Sequence, residues 1–96
     1  MKVKVEYLGH IKNLTCNTRE EEIDLASDST IADLLEILIE KYGEPFKKAI
    51  YEPKGTDVKA NYIITVNGYL LNQLKGLATK LGNGDRVALL PIVSGG

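Results

Sequence analysis

Ninety-six residues, 44% of them apolar and 26% charged, suffice for one modest core and are too few for two. Twelve basic and 13 acidic side chains leave a formal net charge of −1, which gives no electrostatic footprint for nucleic acid or an anionic membrane. No apolar run approaches bilayer-spanning length, Met1–Glu6 lacks the apolar stretch of a secretory signal, and the lone Cys16 has no partner for an internal disulfide, so a cytoplasmic chain is expected.

Lys2 to Leu8 alternates, with Val3, Val5 and Tyr7 on one face and Lys2, Lys4 and Glu6 on the other, the two-residue period of a half-buried strand. Gly9 to Thr18 carries Gly, Asn and Thr and reads as a turn region. Glu20 to Leu25 alternates again, with Ile23 and Leu25 inward, and completes a hairpin with the first strand. Asp28, Ser29 and Thr30 are N-cap candidates, because a short side-chain oxygen can accept from an orphan helix N–H. Ile31, Leu34, Leu35, Leu38, Ile39 and Tyr42 then follow at helical spacing, and Gly43 is a suitable stop. Pro45 opens a short second helix with Phe46, Ala49 and Ile50 on its apolar side.

Tyr51 to Ala60 reads as an exposed loop. Asn61 to Val66 is β-branched and aromatic, Asn67-Gly68 is a strong hairpin signal, and Tyr69 to Leu71 returns as a short strand. Leu74 to Leu81 fits either a helical turn or an irregular crossing that drops Leu77 and Leu81 into the core. Gly82 to Asp85 is a tight turn. Arg86 to Val93 is a nearly continuous apolar strand, which predicts burial on both sides and a central position, parallel to the first strand. The intervening helix supplies the long crossover that a parallel pair needs. The expectation is one α+β domain over residues 1–96: a β-grasp roll with a mixed sheet of about five strands and one main helix on one face.

Behind the last strand the sequence runs out on Gly95-Gly96. Glycine has no Cβ to collide with the walls of a narrow channel. Extended, Pro91 to Gly96 reaches roughly 20 Å, enough for a flexible tail to enter a partner's pocket while the folded body stays outside. Two unconstrained glycines at a chain end would look the same, so the dipeptide leaves both possibilities open.

Elsewhere a bland explanation outweighs chemistry. His10 has no second His or clustered carboxylate in its segment. Cys16 has no adjacent base to activate it. Glu20-Glu21-Glu22 and Lys47-Lys48 read as solvated faces. Gly82 and Gly84 form no phosphate-binding motif, and no Cys or His pair at ligand spacing proposes a metal site.

The segment Leu81-Gly82-Asn83-Gly84-Asp85-Arg86-Val87-Ala88-Leu89-Leu90-Pro91-Ile92-Val93-Ser94-Gly95-Gly96 resembles the carboxyl end of the MoaD/ThiS family of ubiquitin-like sulfur carriers, nearer MoaD. There a Gly-Asp turn leads into the last strand, a proline follows, and the chain ends in Gly-Gly. Val66-Asn67-Gly68 is similar to the family's mid-chain hairpin, and Met1 to Leu8 to its first strand. Two departures stand out: Pro91 is followed by Ile92 where MoaD proteins usually have a second proline, and Glu44 to Ala60 is longer than in a minimal carrier.

The resemblance implies that an activating enzyme of MoeB/ThiF type uses ATP and magnesium to adenylate the Gly96 carboxylate, which a sulfur donor then converts to a thiocarboxylate. Pro91, Ile92, Val93, Ser94 and Gly95 would form the part of the tail that enters a partner's channel. The chain would be a carrier and not an enzyme, with no cofactor of its own. Its sulfur would go to a pterin precursor through a MoaE-like large subunit of molybdopterin synthase. The resemblance also admits a protein modifier joined to target lysines, or a carrier for tRNA thiolation or thiamine synthesis. A third option, from another class, is a β-grasp interaction module with no chemistry at its end.

Overall fold

The structure, a computed structural model, describes residues 1–51 and 62–91. Five strands form one sheet: β1 (Lys2–Tyr7), β2 (Glu20–Asp24), β3 (Tyr62–Val66), β4 (Tyr69–Leu70) and β5 (Arg86–Pro91), in the order β2-β1-β5-β3-β4. β5 is central and parallel to β1, with Val5 opposite Val87 and Tyr7 opposite Leu89; every other pairing is antiparallel. Helices α1 (Ile31–Tyr42) and α2 (Glu44–Ile50) supply the crossover. The architecture is the expected ubiquitin-like β-grasp, with a second short helix.

The core forms where the inward strand positions meet α1. Val3, Val5, Tyr7, Ile23, Ile64, Val66, Val87 and Leu89 face Ile31, Leu34, Leu35 and Leu38, and all of them are buried. Each such side chain contributes about 1.5–3 kcal/mol relative to exposure, before the entropy of ordering it is subtracted. Of the three N-cap candidates, Thr30 is the one used. Its hydroxyl accepts from the Asp33 N–H at 3.3 Å, and the Asp33 carboxylate accepts from the Thr30 N–H at 2.9 Å. That reciprocal pair satisfies two helix-end donors together. α2 starts at Glu44-Pro45 and buries Phe46 and Ile50.

Four expectations need correction. Gly9–Leu14 is a 3-10 helix and not an open turn; Ile11 and Thr15 within and after it are fully buried. β5 is not covered on both sides: Val87 and Leu89 are buried, Ala88, Leu90 and Pro91 are half-buried, and Arg86 is exposed. The helices pack on one face of the sheet only, so alternate residues of the central strand look outward. The short return strand stops at Leu70, and Leu71 begins a 3-10 turn. Finally, Glu21 is not solvated. It shares the inward parity of Ile23, and its carboxylate accepts from the hydroxyls of Tyr7 (2.7 Å) and Tyr42 and from the Lys41 ammonium. Of the expected 51–60 loop only Tyr51 is described, and it is half-buried; the rest lies outside the described residues.

The ambiguous Leu74 to Leu81 stretch, entered from the 3-10 turn Leu71–Gln73, holds a second 3-10 turn, Gly76–Ala78, followed by a crossing tied to the start of α1. The Ile31 N–H donates to the Thr79 carbonyl (3.0 Å) and the Leu81 N–H to the Ser29 carbonyl (2.9 Å). Leu81 is buried and Leu77 half-buried, as the spacing predicts.

Candidate functional site

The position of the tail depends on what holds β5. At its start, Asn67 and Asp85 form a small polar clasp. Asn67 adopts φ 53 and Gly68 φ 88, the paired left-handed geometry of a tight hairpin turn, in which Asn and Gly are the residues best tolerated. The Asn67 side chain accepts from the Arg86 N–H (3.0 Å) and donates to the Asp85 carboxylate (3.0 Å). Asp85 also accepts from the Gly82 N–H at 2.7 Å. On the β1 side, the Gly84 N–H donates to the Lys2 carbonyl at 2.7 Å, and Asn83 accepts from the Lys2 N–H at 2.9 Å. The register of the central strand is thereby fixed against both neighbours.

At its far end β5 finishes on Pro91, which pairs with Tyr62 of β3. The Leu8 N–H donates to the Leu89 carbonyl at 3.0 Å, just beyond the end of β1. Gly9, at φ +67, lies against the Pro91 ring: a Cβ built on it would stand 3.0 Å from Pro91 Cγ and 3.1 Å from Cδ. Of the six residues expected in the reactive tail, Pro91 is therefore placed at the end of the central strand. Ile92, Val93, Ser94, Gly95 and Gly96 lie outside the described residues.

Beside Pro91 the uncovered face of the sheet divides into two halves. Toward β2 it is ionic: Lys4 pairs with Glu20 at 3.7 Å and Arg86 with Glu6 at 2.9 Å, both on the surface. Toward β3 and β4 it is apolar. The strand register sets Ala88 opposite Thr65, Leu90 opposite Ile63, and Leu70 opposite Thr65. Leu8 is 45% exposed and Leu70 39% exposed. The sequence holds a signal for Leu8: it continues the outward parity of Lys2, Lys4 and Glu6 with an apolar residue. Nothing comparable marks Gly9, whose importance depends on a contact 82 residues away along the chain.

The inner face carries the perturbed titrations. Burial opposes the charge of Glu21, but hydrogen bonds from Lys41, Tyr42 and Tyr7 outweigh it and hold the carboxyl below its ordinary value. Burial, and then the bond to Glu21, pushes the Tyr7 hydroxyl far up. Tyr7 also meets Tyr42 edge-on at 6.1 Å between ring centres. This cluster pins the end of α1 to β2 and lies on the covered side of the sheet. Cys16 is exposed in a left-handed turn (φ 55). Among the described residues no group of three or more His, Cys, Asp or Glu could hold a metal ion, and no helix is long and apolar enough to cross a membrane.

Comparison with known proteins bears on this arrangement. The ThiS family model matches residues 5–96. A molybdopterin synthase sulfur carrier subunit from Mycobacterium tuberculosis is 29% identical over 96 residues, covering 100% of this chain and 99% of its own length. A protein of the same name from Drosophila yakuba is 32% identical over 81 residues, covering 83% of this chain and 76% of its own. The solution structure of small archaeal modifier protein 1 from Methanosarcina acetivorans superposes with a TM-score of 0.77 at 27% identity, covering 99% of this chain and 96% of that one. With the family matched from β1 to the final glycine, on the fold that family shares, this chain belongs to the ThiS family, on its MoaD side.

Proposed function

We propose that this chain is a sulfur carrier whose Gly96 carboxylate is adenylated and converted to a thiocarboxylate, and that it serves as the small subunit of molybdopterin synthase. The observation that carries the reading is the pairing of a family-matched Gly-Gly end with its support. Pro91, five residues before Gly96, ends the central strand beside an uncovered apolar surface. A docked partner can cover Leu8, Ile63, Leu70 and Leu90 while the following residues enter its channel. The curated relatives bearing the sulfur-carrier name support the assignment of pathway.

The chemistry follows from the group presented. A free α-carboxylate titrates near pH 3.5, so at neutral pH it is an anion and a poor electrophile. A MoeB/ThiF-type activating enzyme supplies ATP and magnesium. One carboxylate oxygen attacks the α-phosphorus, pyrophosphate leaves, and the acyl carbon becomes bound to AMP. A sulfide-level donor then adds through its sulfur to that carbon and expels AMP, its protons passing to solvent, leaving C(=O)S⁻ in place of the carboxylate. In a MoaE-like large subunit this sulfur passes to the pterin, and water takes its place on the acyl carbon and restores the carboxylate. The bases and the nucleotide pocket belong to the partners, so the chain is a co-substrate in the cytoplasm and not an enzyme. The test is intact mass after incubation with such an activating enzyme, ATP, magnesium and a sulfur donor. A gain equal to exchanging one oxygen for sulfur, lost when Gly96 is deleted, is expected; no gain would reject the reading.

A second reading is favoured by the likeness to a small archaeal modifier protein. In it a target lysine, and not sulfur, attacks the acyl adenylate and forms an isopeptide bond. Tryptic peptides carrying the Val87 to Gly96 segment joined through Gly96 to a lysine would identify that outcome.

A further inference from the structure

We infer that the open groove beside the 3-10 turns, running from Gln73 to Lys80, docks an acidic, leucine-bearing segment of a partner protein. Gln73, Leu74, Lys75, Ala78, Thr79 and Lys80 line it, and its volume is about 570 Å³. That lies within the range of about 300–1,000 Å³ found for sites that hold a small ligand. The groove shares no residue with the apolar outer face of Leu8, Ile63, Leu70 and Leu90.

The polar groups of its wall are donors with nothing to donate to. Lys75 and Lys80 are exposed, and neither forms an ion pair with a described residue. Thr79 is only 8% exposed. Its hydroxyl oxygen accepts from the Lys75 N–H at 3.0 Å, and its proton meets no acceptor among the described residues. The Gln73 amide oxygen is taken by the Leu70 N–H at 2.9 Å, which leaves the NH2 group without an acceptor among the described residues. Two ammoniums, a hydroxyl and an amide, with no carboxylate beside them, call for an anion that accepts several hydrogen bonds. The sign is local: the whole chain carries a formal net charge of −1, so this groove and not the general surface favours an acidic partner.

Between those donors lie Leu74, 37% exposed, and Ala78. A free inorganic anion would leave both uncovered. A peptide that sets a leucine against Leu74 and Ala78, with carboxylates toward Lys75 and Lys80, uses the whole wall. The backbone beneath is already fixed. The Ala78 N–H donates to the Lys75 carbonyl and the Thr79 N–H to the Gly76 carbonyl, both at 3.1 Å, and the Thr79 carbonyl accepts from the Ile31 N–H at the start of α1. Docking therefore orders little of this chain.

The experiment titrates a blocked hexapeptide, Asp-Glu-Leu-Leu-Glu-Asp, into the isotope-labelled full chain and follows backbone amide shifts. Saturable shifts confined to Gln73–Lys80 are expected, with a Kd below about 1 mM at about 50 mM salt. Exposed ion pairs are individually weak, so Lys75→Gln or Lys80→Gln alone should weaken binding about threefold and the two together about tenfold. The neutral peptide Asn-Gln-Leu-Leu-Gln-Asn should bind at least about tenfold more weakly, and about 500 mM salt should weaken the acidic one at least about threefold. Equal shifts at the same residues from inorganic phosphate would mean a free anion is the ligand and would overturn the inference. Unchanged affinity in the double variant, shifts centred on Leu8, Ile63 and Leu90, or no saturable shift up to about 5 mM peptide would overturn it too. Neither Gly96 nor an activating enzyme takes part, so failure here leaves the carrier reading intact, and failure of that reading leaves this inference standing.

Discussion

The exposure of Leu8 sets a measurable scale for partner docking. Burying a leucine completely is worth about 1.5–3 kcal/mol, and Leu8 retains 45% of its surface in the free chain. Covering that remainder against a partner supplies about 0.7–1.4 kcal/mol, in proportion to the 45% still exposed. Leu8→Ala should therefore raise KM for the carrier by roughly three- to tenfold in an ATP–pyrophosphate exchange assay, with kcat unchanged. Leu8→Asp should do more, because a carboxylate would have to be desolvated on docking. By the same proportion the covered part of Leu8 contributes about 0.8–1.6 kcal/mol to the fold, so Leu8→Ala should lower the unfolding free energy by no more than about 1.6 kcal/mol in urea. A KM unmoved by both substitutions would refute the placement of the docking surface. A larger fall in stability would show that Leu8 serves mainly the fold.

Leu38→Ala removes a fully buried side chain from the middle of α1 and should cost about 2–5 kcal/mol by urea denaturation. Asn67→Ala loses two side-chain hydrogen bonds and a residue suited to φ 53, and should cost about 1–2 kcal/mol, read as a lower urea midpoint at constant slope. Deleting Gly96 should abolish adenylation yet shift Tm by no more than about 2 °C, because the residue has no side chain to bury. Glu21 has a folded-state pKa below its ordinary 4.5, so its contribution to stability is present above that pH and lost as pH falls through the lower folded value. Denaturation from pH 7 to pH 3 should show the wild-type advantage over Glu21→Gln shrinking below about pH 4.5. An advantage that persists unchanged to pH 3 would contradict the hydrogen-bonded carboxylate.

Periodicity makes much of this fold legible in the residues themselves. The alternation of Val3, Val5 and Tyr7, the helical spacing from Ile31 to Tyr42 and the Asn67-Gly68 turn each depend on neighbours within a few residues. What escapes such a reading depends on partners far away in the chain. Glu21 looks like the middle of a solvated acidic run; alternation already gives it the inward parity of Ile23, but only the fold shows that it meets hydroxyls from β1 and α1. β5 looks buried on both sides because Ala88 and Leu90 are apolar, yet the helices cover one face alone.

That last discrepancy carries function. An apolar residue on an uncovered sheet face is only partly buried by the isolated fold; Ala88 and Leu90 lie on the strand that leads into the tail, Ile63 and Leu70 on β3 and β4 beyond it, and Leu8 just past the end of β1. Excess hydrophobicity in the last strand is thus better explained by a second surface to be buried, that of a partner, than by the core. The same logic separates the two ends of β5. Its start is held by side-chain hydrogen bonds that Asn67 and Asp85 announce in the sequence. Its end is held by the pairing of Pro91 with Tyr62 and the Leu8 hydrogen bond to Leu89, beside a Gly9 that leaves room for the Pro91 ring, and an absent Cβ has no periodicity by which to be read.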